Sequence, residues 1–339
     1  MAEVVTKARA ARNLLYRLEI LAFWFVVAPL VARLPARLAY GTACRRGDWV
    51  FRHRPEVTAV IVRNLHLAFG ETLSPAEAER VARELCRAGA CEVIDIMRLR
   101  SGTRPLKKLV EIRGREHLEA AIAAGNGAIL CTAHFGSFES AFSLIHASGF
   151  PVTAIGRWWW DYESGVSSAT RRFWRFAYGR RILRYRQRPN IEPWSGEIMS
   201  GVRAATTLRR NEVLAICSDA GPLESDQSRT VKVPFLGQEA TLLPGVITLA
   251  RVTRAPVLMT FVYRSADYRH QVLEISSPLS LAGDPATAFA RCAAAMDAAI
   301  RSQPAQWGYW TEPNGLTGLG LVAQAPSDDT DAVAWQSAS

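Results

Sequence analysis

The chain has 339 residues, of which 49% are hydrophobic and 21% are charged, and this balance excludes both a disordered polyelectrolyte and a polytopic membrane protein. Its formal net charge of +10 favours contact with an anionic partner such as phosphate, a lipid headgroup or nucleic acid. The six cysteines include no C-x-x-C pair, which argues against a zinc site and a disulfide scaffold and favours reduced thiols in the cytosol.

The N-terminal region, residues 1–40, combines basic side chains with a short apolar run. Four basic residues between positions 7 and 17 precede the apolar segment Ile20–Ala32, and no small-residue cleavage site follows it. At 1.5 Å per residue this segment covers about 20 Å, which is short of the roughly 30 Å hydrocarbon core of a bilayer. The pattern predicts a retained helix that lies in the membrane interface. The alternative is a buried packing helix of a soluble enzyme.

The middle of the chain alternates short apolar runs with helical patterns. Ser74 and Glu77 form a capping box with Pro75 at the first helical position, which predicts a helix. The predicted strands are Ala128–Ala133, Val152–Ile155, Val213–Ser218 and Val257–Tyr263. The predicted helices are Glu116–Ala124, Phe138–Ala147, Ser167–Tyr178, Glu197–Leu208, Gly245–Val252 and Ala286–Ser302. This alternation predicts an α/β fold with a mainly parallel central sheet flanked by helices over residues 41–322. A disordered polar tail is expected over residues 323–339.

The most informative stretch is the predicted strand Ala128–Ala133. His134 follows it in a glycine-containing turn, and a predicted helix begins after the turn. Open α/β sheets place their sites at the carboxyl ends of strands. With Glu139 in the first helical turn, its carboxylate can fold back onto an imidazole nitrogen, which fixes the tautomer and raises the basicity of His134. The other nitrogen is then free to take a proton from a hydroxyl. A purely structural histidine is the alternative.

Other nucleophiles and metal sites find little support in the sequence. Cys131 lies in the middle of a predicted strand, so we expect a buried, inert thiol rather than a nucleophile. The chain contains no G-x-S-x-G, H-E-x-x-H or G-x-x-x-x-G-K-[ST] motif. Serine hydrolase, zincin and P-loop functions are thereby weakened.

Several blocks occur in an order that resembles one known family. They are Arg63–Phe69, Gly114–Ala121, His134–Glu139, Cys217–Asp219, Val233–Gly237 and Trp307. Together they resemble the bacterial lipid A late acyltransferases of the lauroyl and myristoyl type and their relatives, the phosphatidylinositol mannoside acyltransferases. The similarity spans roughly residues 15 to 312. Among the departures, Glu139 stands where many relatives have Asp, and Trp310-Thr-Glu312 replaces the usual Arg-Arg-Phe.

The resemblance implies a glycerolipid-acyltransferase-like fold. It also implies that the protein works at the cytoplasmic face of the inner membrane. It implies transfer of a fatty acyl chain from acyl carrier protein or coenzyme A to a hydroxyl of a membrane glycolipid or lysolipid, without a cofactor or metal. His134 would be the general base and Glu139 its partner. Arg180 and Arg184, from an arginine-rich stretch, would bind substrate together with Asp219.

Three alternatives stay open beside acyl transfer. The same dyad could activate water in a lipid or thioester hydrolase, or the chain could be a non-catalytic protein that binds anionic lipid. A nucleic-acid binder is the third, because arginines interleaved with aromatic residues between positions 157 and 188 also suit phosphate contacts and base stacking. No recognition-module motif accompanies them, so an anionic membrane surface is the expected partner rather than nucleic acid.

Overall fold

A computed structural model describes residues 22, 26–99, 104–156, 190–193, 197–221 and 229–321 of the chain. The described helices are α1 (Ala28–Arg33), α2 (Ala36–His53), α3 (Pro55–Phe69), α4 (Pro75–Leu99), α5 (Arg104–Lys107), α6 (Arg115–Ala123), α7 (Phe138–His146), α8 (Glu197–Arg209), α9 (Gly245–Thr253), α10 (Pro285–Ser302) and α11 (Gly315–Gly318). The described strands are β1 (Val110–Arg113), β2 (Ala128–Thr132), β3 (Val152–Gly156), β4 (Asn190–Pro193), β5 (Val213–Cys217), β6 (Val231–Phe235), β7 (Gln238–Leu242), β8 (Val257–Arg264) and β9 (Gln271–Pro278).

Seven of these strands form one sheet in the order β1-β9-β8-β2-β5-β3-β4, while β6 and β7 form a separate antiparallel hairpin. Every neighbouring pair in the large sheet is parallel except β8 and β9. The predicted α/β fold with a mainly parallel sheet is therefore confirmed.

Strand β2 lies in the centre of the sheet and is buried on both faces, as a continuous apolar run predicts. Because successive side chains point to opposite faces, Ile129 and Cys131 pack into one core with residues of α4, α9 and α10. Ala128 and Leu130 pack into the other core with residues of α6 and α7. The residue that follows this strand is therefore held from both sides of the sheet.

The predicted elements agree closely with the structure where it describes them. The four predicted strands correspond to β2, β3, β5 and β8, each with an end that differs by one residue. The helix predicted over Ser167–Tyr178 lies outside the described residues. The capping box is confirmed, since the Ser74 N–H donates to Glu77 Oε2 (3.1 Å) and the Glu77 N–H donates to Ser74 Oγ (3.3 Å). The sequence did not predict the outer strands β1, β4 and β9 or helices α2 and α3.

Of the predicted N-terminal helix, the structure describes residue 22 and residues 26–40. Helix α2 runs through the expected boundary at residue 40, because Ala39, Tyr40 and Ala43 are buried in a small core with residues of α4. Val31 on α1 packs against this core, whereas other apolar side chains on and beside α1 are exposed: Val26, Val27, Leu30, Leu34 and Leu38. No helix in the described ranges is both long enough and apolar enough to cross a bilayer. The predicted tail lies outside those ranges.

Candidate active site

The turn after β2 carries His134 and has a tightly restrained backbone. Gly136 has a φ of +58°, and a Cβ at that position would lie 2.1 Å from the Val262 carbonyl oxygen, so only glycine fits there. The Gly136 N–H donates to the Gln306 carbonyl (2.8 Å), and the Gly308 N–H donates to the His134 carbonyl (2.8 Å). Strand β8 and the segment around residues 304–308 therefore fix the position of His134.

Asp219 is the hydrogen-bond partner of His134. Its Oδ1 lies 2.7 Å from His134 Nδ1, and its Oδ2 accepts the backbone N–H of His134 at 2.7 Å. The indole Nε1 of Trp307 also donates to Oδ2, at 2.8 Å. Asp219 follows β5, which pairs with β2 in parallel, so the two residues come from the carboxyl ends of adjacent strands. The Asp219 side chain is fully buried, whereas that of His134 is 38% exposed.

The electrostatics of the pair favour a basic imidazole. Burial acts to lower the pKa of His134, but the charge and hydrogen bond of Asp219, with the nearby charges of Glu139 and Glu312, outweigh it and raise that pKa above its ordinary value. Burial acts to raise the pKa of Asp219, but His134 and the Trp307 N–H lower it below its usual range. Asp219 therefore stays ionised at neutral pH.

Aromatic rings border the imidazole of His134. Its ring centroid lies 5.6 Å from that of Phe138, edge-on, and 5.1 Å from that of Tyr309. Tyr309 in turn stacks on Trp307 at 5.6 Å. With Nδ1 occupied by Asp219, Nε2 is the nitrogen that a substrate hydroxyl can approach. Within the part of the chain that the structure describes, Nε2 has no hydrogen-bond partner and lies beside an apolar wall.

The contacts of two predicted site residues differ from those expected. Nδ1 of His134 is bonded to Asp219 and not to Glu139, which lies in the first turn of α7 and acts on the imidazole through its charge. A substrate-binding role for Asp219 is not favoured, because its carboxylate is fully buried and both of its oxygens already accept hydrogen bonds. Arg180 and Arg184 lie outside the described residues.

Comparison with known proteins places this site in a family. The family model for bacterial lipid A biosynthesis acyltransferases matches residues 8–312 of the chain. The chain belongs to that family. A lipid A biosynthesis acyltransferase from Haemophilus influenzae is 23% identical to it over 259 residues, which are 76% of this chain and 75% of that protein. The chain is therefore an acyltransferase that transfers an acyl group to a lipid, and the resemblance seen in the sequence is confirmed.

Two of the sequence blocks of this acyltransferase meet near His134. Asn64, which is buried in α3, donates through Nδ2 to the carbonyls of Trp310 (3.1 Å) and Glu312 (2.9 Å). Its neighbour Arg63 donates to the Pro313 carbonyl. The block Arg63–Phe69 therefore holds the C-terminal segment that follows Trp307. The sequence alone does not show which acceptor Trp307 meets, although a buried indole N–H needs one.

The thiol nearest in sequence to His134 is unsuited to nucleophilic attack. Cys131 is fully buried, and contact with Cys292 together with burial raises the pKa of its thiol. Its Sγ lies 3.3 Å from Ser218 Oγ. Because the thiolate is the reactive form, this environment agrees with the expected inert thiol.

Proposed function

We propose that this acyltransferase moves a fatty acyl chain from the thioester of acyl carrier protein or coenzyme A to a hydroxyl of a membrane glycolipid. The acceptor would be of the lipid A precursor or phosphatidylinositol mannoside type. The observation that carries the proposal is the arrangement of His134, whose Nδ1 is held at 2.7 Å by the buried Asp219 while its side chain remains 38% exposed. This leaves Nε2 as a general base for a hydroxyl that enters from the surface.

The proposed reaction needs no covalent enzyme intermediate and no cofactor beyond the acyl donor. Neutral His134 takes the proton of the acceptor hydroxyl through Nε2 as the oxygen attacks the thioester carbonyl. The tetrahedral intermediate then collapses, the carbon–sulfur bond breaks, and the imidazolium returns the proton to the departing thiolate. An ester and a free thiol are formed, and the enzyme regains its starting state.

Three carboxylates stabilise the imidazolium in this scheme. Asp219 orients the ring and offsets its positive charge directly. Glu139 and Glu312 add negative charge nearby, so the proposed role of Glu139 is electrostatic. Arg180 and Arg184 are proposed to bind the phosphate of the substrate or the oxyanion of the intermediate.

Product analysis with a radiolabelled acyl donor tests the function. We expect label to move to lipid when purified enzyme receives acyl carrier protein or coenzyme A thioester with a lipid A precursor or a phosphatidylinositol mannoside. Release of labelled free fatty acid with no labelled lipid would instead show a hydrolase. No turnover with any donor and acceptor pair, combined with binding to anionic vesicles, would show a lipid-binding protein.

We also propose that the enzyme works at the cytoplasmic face of the inner membrane. The exposed apolar side chains Leu30, Leu34 and Leu38 lie beside Arg33 and Arg37, and such a combination suits an interface with anionic headgroups.

Flotation with anionic vesicles tests the membrane proposal. A variant with Glu in place of Leu30, Leu34 and Leu38 should float less than the parent protein, because burial of apolar surface is lost and negative charge is added. The matched control places Glu at Leu67, Val202 and Val252, which are 37%, 54% and 63% exposed on α3, α8 and α9. Equal flotation of both variants would refute the proposal that Leu30, Leu34 and Leu38 contact the membrane.

A further inference from the structure

A second buried carboxylate lies behind the turn that carries His134. Asp95 sits in the second half of α4 and is fully buried. Its Oδ2 accepts hydrogen bonds from Ser137 Oγ (2.7 Å), from Gln271 Nε2 (3.0 Å) and from the Arg264 guanidinium, and its Oδ1 accepts the Tyr40 hydroxyl. These donors come from α2, β8, β9 and the turn before α7. One carboxylate thus ties four separate parts of the fold together.

Ser137 is the point at which this network reaches the site. It is the residue before α7 and would ordinarily cap that helix with its side chain, yet its hydroxyl makes no capping bond. Instead it donates to Asp95 and accepts from Arg264 Nη2. Ser137 lies three residues after His134 and two before Glu139, so the network holds the middle of the segment that joins them.

The network centres on a buried pair formed by Asp95 and Arg264. The Arg264 side chain is 4% exposed. Burial alone would lower the pKa of Arg264, but the charge of Asp95 raises it further above its usual range, so the guanidinium stays protonated. A second nitrogen of Arg264 donates to the Tyr268 carbonyl (2.9 Å), and the Arg264 backbone N–H donates to Gln306 Oε1 (2.9 Å). Gln306 also accepts the Gly136 N–H, so the same arginine supports the turn by two routes.

We propose that Ser137 is a positioning residue for acyl transfer, anchored by the buried Asp95–Arg264 pair so that His134 keeps its place against Asp219. This inference rests on the proposed role of His134 as general base. A buried ion pair is a weak source of net stability, because desolvation of both charges offsets their attraction. Its hydrogen bonds are directional, however, and they fix where the Ser137 hydroxyl must lie. That placement is what a base needs, since a shift of about 1 Å costs about a hundredfold in rate.

Ser137→Ala tests the proposal, because it removes the anchor from the turn and leaves the Asp95–Arg264 pair intact. The matched control is Ser143→Ala on the same helix. Ser143 is equally buried, but its hydroxyl donates to the Glu139 carbonyl within α7 and does not reach Asp95. We expect kcat for acyl transfer to fall about tenfold to a hundredfold in Ser137→Ala, with KM within about twofold, while Ser143→Ala keeps the parental kcat.

Titration of His134 by NMR supplies a readout that does not depend on turnover. If Ser137 holds the imidazole against Asp219, its loss weakens that contact, and the pKa of His134 should fall in Ser137→Ala but not in Ser143→Ala. An unchanged pKa together with an unchanged kcat would overturn the positioning role. Full activity in His134→Ala would instead refute the general base, and the NMR comparison would still decide whether Ser137 positions the ring.

Discussion

Among the described residues, two histidine–aspartate pairs have the same N–O distance but very different surroundings. In the site, His134 Nδ1 lies 2.7 Å from Asp219, and in the turn between β8 and β9, His270 Nδ1 lies 2.7 Å from Asp267. Asp219 is fully buried, whereas the side chains of His270 and Asp267 are 55% and 33% exposed. The turn pair is formed by residues three positions apart, and the site pair by residues 85 positions apart.

This difference shows that distance alone does not make a general base. Contacts between exposed side chains of this kind are screened by water and are worth about 0–1 kcal/mol. The turn pair is a local contact within the β8–β9 turn. In the site, water is excluded from the carboxylate, and additional donors from Trp307 and the backbone hold it in place. The charge of Asp219 therefore acts on the imidazole with little screening.

The largest expected effect comes from removing each histidine in turn. His134→Ala should lower kcat for acyl transfer by about 10² to 10⁴-fold, which is the usual contribution of a general base. His270→Ala should leave kcat within about twofold. Both variants are assayed with labelled acyl donor, and thermal unfolding shows whether each is folded. Wild-type-like turnover in folded His134→Ala, or an equal loss in both variants, would contradict the assignment.

The next largest loss of kcat distinguishes the roles of the carboxylates around His134. Asp219→Asn should lower kcat by about 10²-fold, because an amide cannot offset the charge of an imidazolium. Glu139→Gln should cost less, since Asp219 makes the hydrogen bond to Nδ1 and Glu139 adds negative charge nearby. Asp267→Asn is the matched control and should leave kcat unchanged.

The pH profile of kcat/KM sharpens that comparison. The neutral imidazole is the active form, so activity should rise with pH through the pKa of His134, which lies above its ordinary value of about 6.5. Asp219 raises that pKa, so the rise in activity should move to lower pH in Asp219→Asn while the plateau falls. If the activity of this variant rises over the same pH range as that of the parent protein, Asp219 does not control the pKa of His134.

The sequence indicated both members of the site pair but not their partnership. Strand β2 reads as a continuous apolar run, and a histidine at its end is visible from the sequence alone. The partnership with Asp219 depends on β5 lying next to β2 although β3 and β4 come between them in the chain, and strand order is not encoded in local periodicity. Asp95 is hidden for a related reason: it occupies a buried position in an amphipathic helix, where helical spacing predicts an apolar residue.

The smallest effect is on stability and concerns the indole of Trp307, which donates to Asp219. Trp310 provides a matched comparison. Trp307 Nε1 donates to the charged Asp219, whereas Trp310 Nε1 donates to the neutral Pro304 carbonyl, both at 2.8 Å, and both side chains are fully buried. Hydrogen bonds to charged groups contribute about 1.5–3 kcal/mol and neutral ones about 0.5–1.5 kcal/mol. Urea denaturation at pH 7 should therefore show a larger loss of unfolding free energy in Trp307→Phe than in Trp310→Phe.

The same two variants test whether Asp219 stays ionised. Because the folded-state pKa of Asp219 is lowered, the stability that depends on its charge is present above the unfolded value of about 3.9 and is lost only as pH falls through the lower folded value. The difference in unfolding free energy between Trp307→Phe and Trp310→Phe should thus be the same at pH 7 and pH 5. A difference that disappears by pH 5 would mean that Asp219 takes up a proton there, and a neutral Asp219 could not raise the basicity of His134.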